Sequence, residues 1–176
     1  MEIFIVGAAV VALMVYVSTK IKKSAAEAYE PEFVERDDFT INKPEGFLSP
    51  LEARDGFLFE AYSRNYGEKE KRNTRQATAL LTADSGLNFE AERQKAKNSA
   101  AKIVSEKILK KGANGDKICL LKMEKKENGF AAIEFWKIIE SAELQKTFSL
   151  RVWVLKSFKD DYIDRINEIT NSFRLK

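Results

Sequence analysis

The chain opens with an apolar segment and then alternates between short apolar runs and charged stretches. From Ile3 to Val17 every residue is apolar or glycine, and a helix of that length extends for about 25 Å. Its apolar residues fall on every side of the helix rather than on one stripe, as they do in a membrane segment. Three lysines follow the segment, Lys20, Lys22 and Lys23. The pattern predicts a transmembrane anchor over residues 1–23.

The charges around this segment predict its orientation. A cleaved signal peptide carries positive charge before its apolar part, whereas here Glu2 precedes it and the lysines follow. A cleaved signal peptide and a soluble or peripheral helix are the alternatives. The positive-inside rule predicts a single-pass protein of the cell membrane, with its N-terminus outside and its domain facing the cytoplasm. Small residues at Gly7, Ala8 and Ala12 allow a second helix to approach closely, which predicts weak self-association.

The rest of the chain divides into a linker and one domain. Residues 24–38 are charged and contain Pro31, which predicts a juxtamembrane linker. The domain, over residues 39–176, begins with "FTINKPEGF", which predicts a strand and then a turn at Pro44–Gly46. The runs "DGFLFEAYS" and "QATALLTAD" predict two further strands, the first because its apolar and polar side chains alternate.

The second half of the domain carries longer patterns. Residues 87–112 predict the longest helix outside the anchor, because their apolar residues approximate one buried stripe. Three strands are predicted next, over 117–125, 129–140 and 145–156. Asn-Gly within "ENG" at 127–129 predicts a tight hairpin, since it supplies positive φ angles. The closing residues repeat apolar side chains at three- and four-residue steps and predict a C-terminal helix. The predicted class is α+β, an antiparallel sheet packed with a long central helix and a C-terminal helix.

Charge and composition exclude several classes of function. The net charge is +3, and setting aside Glu2 and the three lysines leaves 27 Lys and Arg against 26 Asp and Glu. A nearly neutral domain lacks the concentrated basic footprint that nucleic acid requires. The chain has no histidine, which removes Ser-His-Asp and Cys-His catalysis and the commonest metal ligand. Cys119 is the single cysteine, so no internal disulfide forms, and its apolar run "KICLLKM" predicts a buried structural thiol.

Four segments together resemble a known fold family. They are "FTINKPEGF", the long central helix, the hairpin "GDKICLLKMEKKENGFAAIEFWKII" and the ending "INEITNSFRLK". In this order they resemble the PsbP-like family, over about residues 39–176. The resemblance implies an α/β/α sandwich and a binding or accessory module, and it carries over no functional residue. A cystatin-like or nuclear-transport-factor-like fold is the alternative, although it begins with its helix.

Two groups of residues are candidates for a binding surface. The first is a set of lysines on the outward face of the central helix, suited to anionic lipid or an acidic partner: Lys102, Lys107, Lys110 and Lys111. The second is an aromatic patch on the mixed face of the sheet, with a cation–π contact: Trp136, Arg151 and Trp153. A solvated helix face and a second packed layer are the structural alternatives. The carboxylates Asp160, Asp161 and Asp164 suit the start of a helix rather than catalysis.

These patterns favour a protein that binds rather than catalyses. We expect a non-catalytic, membrane-tethered accessory module that acts on an unknown protein partner or at the membrane surface, with no nucleic acid involved. No Gly-rich phosphate loop, metal-spaced cluster or nucleophile elbow occurs in the sequence, so no catalytic residue, metal or cofactor is expected. The alternative is an exported accessory domain, or a carrier of a lipid or small ligand, whose N-terminal segment is cleaved or oppositely oriented.

Overall fold

The structure is a computed structural model that describes residues 2–52, 54–64, 74–111 and 116–176. At residues 2–10, 25, 110 and 111 only the backbone is described. The helices are α1 (Glu2–Glu27), α2 (Phe89–Asn98) and α3 (Lys159–Ser172), and a 3-10 turn at Lys156–Phe158 precedes α3. The strands are β1 (Glu32–Glu35), β2 (Phe39–Lys43), β3 (Phe59–Tyr62), β4 (Ala77–Ser85), β5 (Lys102–Lys111), β6 (Asp116–Glu127), β7 (Phe130–Ser141), β8 (Lys146–Leu155) and β9 (Arg174–Leu175).

The N-terminal segment forms α1, which is 26 residues long. No helix within the described residues is long and apolar enough to span a membrane, so the transmembrane helix predicted over 1–23 is not found. The apolar run ends at Val17, short of the roughly 20 residues that a span requires. Gly7 and Ala8 lie where only the backbone is described, and the self-association through them stays a prediction.

Part of the predicted linker belongs to the fold. Within residues 24–38, α1 continues to Glu27 and β1 then pairs antiparallel with β2, which places Val34 opposite Ile41. Strand β2 pairs on its other side with β9 at the C-terminus, so the small sheet has the order β1-β2-β9. The two ends of the domain meet in one sheet, and the hydrogen bonds of that sheet order this segment.

The main sheet confirms the predicted antiparallel architecture. In the part of the chain that the structure describes, it has six strands in the order β3-β4-β8-β7-β6-β5, and every neighbouring pair is antiparallel. The predicted hairpin joins β6 to β7, with φ of 49° at Asn128 and 84° at Gly129. Positive φ at both central residues is the geometry of a type I′ turn, which fits the twist of the flanking strands.

The larger hydrophobic core lies between one face of this sheet, α3 and the small sheet. Strand β8 supplies its centre with alternate residues, among them Phe148 and Leu150, both 0% exposed. Helix α3 turns Ile166 and Ile169 inward, also 0% exposed, which confirms the predicted C-terminal helix. Phe173, just beyond α3, packs edge-on against the ring of Phe39 in β2. Residues three and four apart form one helix face, so α3 buries a single apolar stripe.

The predicted long central helix is wrong in its second half. Helix α2 covers only Phe89–Asn98, and its end is closed by the Ser99 hydroxyl, which donates to the carbonyl of Ala96 at 2.7 Å. From Lys102 the chain forms β5, and residue 112 lies outside the described residues. Pairing with β6 satisfies the backbone groups along one edge of β5. Tertiary pairing therefore overrides the helix-like spacing of the apolar residues.

Candidate functional site

The candidate lysines lie on an edge strand rather than on a helix. Strand β5 pairs with β6 on one side, and no described strand lies on its other side. Lys102 and Lys107 are exposed, and neither forms an ion pair with a described residue. Lys110 and Lys111 continue the strand opposite Lys117 and Asp116, and their side chains lie outside the described part of the structure. The structure therefore brings the four lysines together along one sheet edge.

Strand β5 also exposes apolar side chains. Every residue from Lys102 to Leu109 is exposed, although the Glu106 side chain is only 25% exposed. Four of these are large apolar residues, with 37–46% of their surface exposed: Ile103, Val104, Ile108 and Leu109. A bulge at Val104 interrupts the register with β6. A strand that exposes apolar side chains on both of its faces presents surface that a partner can bury.

Helix α2 holds this edge strand through Glu106, the acidic residue of β5. Glu106 accepts from Arg93 Nε at 2.5 Å and pairs with Lys97 Nζ at 2.7 Å. These two cations of α2, the Arg93 hydrogen bond foremost, hold the pKa of Glu106 below its ordinary value. The negative charge of β5 is therefore engaged by α2, while Lys102 and Lys107 remain exposed and without a described ion pair.

The chemistry of such an edge is recognition through the backbone. An edge strand has a row of outward N–H and C=O groups. An extended peptide can form hydrogen bonds with these groups and so add a strand to the sheet. Side chains on the two faces of β5 then select which peptide pairs. Because β5 is ten residues long, it is longer than the usual strand of about 5–6 residues. The sequence signal for this strand is the pair of β-branched residues Ile103 and Val104, which favour strands.

The aromatic candidates lie inside the domain. Trp136 and Trp153 are 7% and 6% exposed, so the partly exposed patch is wrong and the packed second layer is correct. Trp136 packs with Phe89 and Ala96 of α2. Arg151 lies opposite Trp136 in the register of β7 and β8, with its Cζ 5.8 Å from the ring centroid. This confirms the predicted cation–π contact.

Beside the tryptophans lies a buried ion network around Glu134. This residue is 0% exposed, accepts a hydrogen bond from Arg151 Nε, and lies 3.1 Å from Lys125 Nζ. Lys125 also contacts Glu127 at 2.6 Å. Burial raises the pKa of Glu134, but the charge and hydrogen bond of Arg151 and the charge of Lys125 outweigh it, so the pKa is lowered. The network keeps a charged glutamate inside the domain, and it is a structural feature rather than an open site.

The Cys119 thiol and the carboxylates that begin α3 have structural roles. Cys119 is buried, and burial raises the pKa of its thiol to about 11, as the apolar run predicted. Asp160 and Asp161 lie in the first turn of α3, where carboxylates stabilise the helix dipole. Within the described residues, no group of His, Cys, Asp and Glu is arranged to hold a metal ion.

Comparison with known proteins connects this chain to solved structures rather than to sequences. No protein-family model and no curated protein matches it. It is similar to the cyanobacterial PsbP of Synechocystis sp. PCC 6803, with a TM-score of 0.53 at 8% identity, over 84% of this chain and 94% of that one. It is also similar to LpqN of Mycobacterium tuberculosis, a protein involved in cell envelope biogenesis, with a TM-score of 0.53 at 14% identity, over 84% and 91%.

A protein of Bacteroides thetaiotaomicron VPI-5482 gives a TM-score of 0.48 at 14% identity, over 85% of this chain. The chain spans only 49% of the length of that structure. The two matches with TM-scores of 0.53 cover 84% of this chain and more than nine-tenths of each of those structures. At these identities the likeness concerns the fold, and it confirms the predicted resemblance. The chain has the PsbP-like fold.

Proposed function

We propose that this protein is a non-catalytic binding module that holds an extended, acidic segment of a protein partner along the outer edge of β5. The observation that carries the proposal is the edge itself, a ten-residue strand in which every residue from Lys102 to Leu109 is exposed. Its outward backbone groups supply affinity through ladder hydrogen bonds. Its exposed apolar side chains supply area that a partner buries.

Charge argues for an acidic partner and against a second copy of the same strand. The sequence of β5, "KIVSEKILKK", contains four lysines and one glutamate, and that glutamate is held by α2. Two copies paired edge to edge would bring lysines of one chain against lysines of the other, and like charges across a strand pair are destabilising. Lysines on an edge commonly prevent such self-pairing. A partner strand with glutamate or aspartate at alternate positions would instead attract the lysines of β5.

The test uses a defined peptide with the full chain. The probe is a fluorescent ten-residue peptide of alternating Glu and Val, matched in length to β5, and its binding is measured by anisotropy at low salt. A second peptide of the same sequence carries N-methyl groups at alternate amides, which removes the donors that a strand ladder needs. The proposal predicts binding of the first peptide only. Equal binding of both peptides would show charge attraction without strand pairing and would contradict it.

Two double variants separate the edge from the general charge of the domain. Lys102→Gln with Lys107→Gln removes two charges from β5, and exposed ion pairs contribute about 0.2–1 kcal/mol each. We expect the affinity for the peptide to fall by about fivefold. Lys126→Gln with Lys156→Gln removes the same charge from exposed positions outside β5. An equal fall in both double variants would refute an edge-specific site.

A second candidate function, attachment to a membrane surface, is favoured by the exposure of α1. Seven large apolar side chains of this helix are 44–66% exposed: Val11, Leu13, Met14, Val15, Tyr16, Val17 and Ile21. Burial of such side chains in lipid is favourable, and basic residues such as Lys20 and Lys22 strengthen binding to anionic headgroups. We propose that α1 holds the domain at the cytoplasmic face of the cell membrane. An exported domain with the opposite orientation is the alternative.

Vesicle flotation of the full chain tests this attachment. Leu13→Ser with Val17→Ser removes apolar area from α1, and because full burial of one such side chain contributes about 1.5–3 kcal/mol, we expect at least about tenfold weaker binding to vesicles with anionic lipid. The matched control is Leu51→Ser, at a fully exposed leucine outside α1. Unchanged binding of the α1 variant would contradict attachment through α1. Protease digestion of intact and opened cells tests on which side of the membrane the domain lies. Digestion in intact cells would support the exported alternative.

A further inference from the structure

A second feature of the domain lies far from β5, where α3 faces the start of β4. A cleft of about 620 Å³ opens there. Its walls come from the segment after α1, the turn after β2, the end of β3 and the first turns of α3: Tyr29, Gly46, Arg64, Gln76, Asp161, Tyr162 and Arg165. In the main sheet, three strands separate β4 from β5. Clefts of this volume are typical of small-molecule sites.

Buried polar side chains form the base of the cleft. Gln76 and Tyr162 are each 6% exposed, and the Tyr162 hydroxyl donates to Gln76 Oε1 at 2.9 Å. Arg64 Nε lies 3.4 Å from the same oxygen. This carbonyl oxygen is therefore occupied by two donors, which fixes the orientation of the amide. The amide NH₂ group of Gln76 remains as a donor, and a lining that presents donors suits a ligand that accepts.

Two guanidinium groups flank this base. The Cζ of Arg165 lies 5.4 Å from the centroid of the Tyr162 ring, and its Nη1 donates to the backbone carbonyl of Asp161 at 3.0 Å. Neither Arg64 nor Arg165 lies within 4.0 Å of a described carboxylate. Arg93, by contrast, pairs with both Glu106 and Glu90. Arginine presents a planar fork of donors that matches carboxylate and phosphate groups.

The turn at Gly46 forms one side of the cleft, beside Arg165. Gly46 has φ of +85°, and its N–H donates to the carbonyl of Tyr29 at 2.9 Å, which holds Tyr29 at the wall. A Cβ at this position would lie 3.7 Å from the Arg165 guanidinium. The positive φ, rather than lack of space, requires glycine here. Tyr29 and Tyr162 both line the cleft.

We infer that this cleft binds a small organic anion, one that joins a phosphate or carboxylate group to a ring or another flat apolar part. The guanidinium groups of Arg64 and Arg165 hold the oxygens of the anion, together with the Gln76 amide. The tyrosine rings contact the apolar part. The inference is independent of partner binding at β5, because none of these residues belongs to that edge.

Isothermal titration of the full chain with four probes tests the inference. The probes are phenyl phosphate, benzoate, inorganic phosphate and the neutral analogue phenol. We expect one or both of the aromatic anions to bind, inorganic phosphate to bind more weakly than phenyl phosphate, and phenol not to bind. Comparison of phenyl phosphate with benzoate shows whether the cleft prefers a phosphate or a carboxylate group. Absence of binding by both aromatic anions, or equal binding of inorganic and phenyl phosphate, overturns the inference.

Matched arginine variants locate the binding. Arg64→Gln and Arg165→Gln each remove one cation, and because a hydrogen bond to a charged group contributes about 1.5–3 kcal/mol, we expect each to weaken binding by at least about tenfold. Arg165→Lys keeps the charge but loses the fork and should weaken binding less. Arg36→Gln removes the same charge at an exposed position outside the cleft. Equal affinities in Arg36→Gln, Arg64→Gln and Arg165→Gln overturn the assignment to this cleft.

Discussion

Replacing Glu134 by glutamine removes the negative charge at the centre of the buried ion network while keeping the size of the side chain. Glu134 is 0% exposed and contacts both Arg151 and Lys125. The Lys125 side chain is itself 6% exposed. After the substitution these two cations lose the carboxylate between them, and water does not reach Lys125 easily. A buried charge left without its partner is among the most destabilising outcomes of a single substitution.

The magnitude follows from the remaining contacts. Removing one member of a buried ion pair costs about 3–5 kcal/mol. Lys125 keeps Glu127 at 2.6 Å, and the Arg151 side chain is 31% exposed, so both cations retain some stabilisation. We therefore expect Glu134→Gln to lower the free energy of unfolding by about 3 kcal/mol, at the lower end of that range. For a domain of this size the melting temperature should fall by about 6–12 °C.

Urea unfolding followed by circular dichroism measures this change. The matched control is Glu168→Gln, which removes the same charge from an exposed position of α3 and should alter the free energy of unfolding by less than about 0.5 kcal/mol. In a double-mutant cycle, Glu134→Gln with Arg151→Gln should cost less than the sum of the two single variants. Equal stabilities of Glu134→Gln and Glu168→Gln would show that the Glu134 charge does not stabilise the fold.

The same network predicts a dependence on pH. Because the pKa of Glu134 is lowered in the folded protein, the unfolded chain binds the proton more readily, and the charged network stabilises the fold above the ordinary pKa of glutamate. This stabilisation is lost as the pH falls through the lowered, folded-state pKa. The stability difference between the natural chain and Glu134→Gln should therefore shrink on acidification. A difference that grows as the pH falls would contradict the assigned direction.

Two further predictions concern the hairpin and the cysteine. Gly129→Ala should lower the free energy of unfolding in urea by about 1 kcal/mol, because φ is 84° while nothing lies within 4 Å of the added Cβ; an unchanged stability would contradict a backbone cause. Cys119 should resist a thiol reagent at about pH 8 in the folded chain and react in urea, because burial raises its pKa to about 11. Equal reaction rates in both states would contradict that burial.

Local patterns predicted most of the sheet correctly. The strands β6, β7 and β8 and the Asn128–Gly129 turn followed from runs of alternating or apolar residues bounded by a turn with positive φ. The register of β7 with β8 placed Arg151 against Trp136 as expected. These features depend on residues close in sequence, where turn chemistry and side-chain alternation determine the structure.

The errors arose where distant contacts determine the structure. Ile103, Val104 and Ile108 continue the spacing of a helical stripe. The segment nevertheless forms strand β5, because its backbone pairs with β6. The burial of Trp136 depends on α2 lying across β7, which alternation along one strand does not show. The sequence did not predict the cleft because Arg165 is far from Arg64 and Gln76 in the chain, and the packing of α3 brings it to them.

Amide hydrogen exchange along β5 tests whether a peptide adds a strand at this edge. In the full chain, N–H groups that point away from β6 have no described strand to protect them and should exchange quickly. The account predicts that the alternating Glu-Val peptide slows exchange at those outward amides between Lys102 and Lys111, while exchange in β3, at the opposite edge, stays unchanged. Slowing that appears only at other strands, or at none, would contradict strand addition at β5.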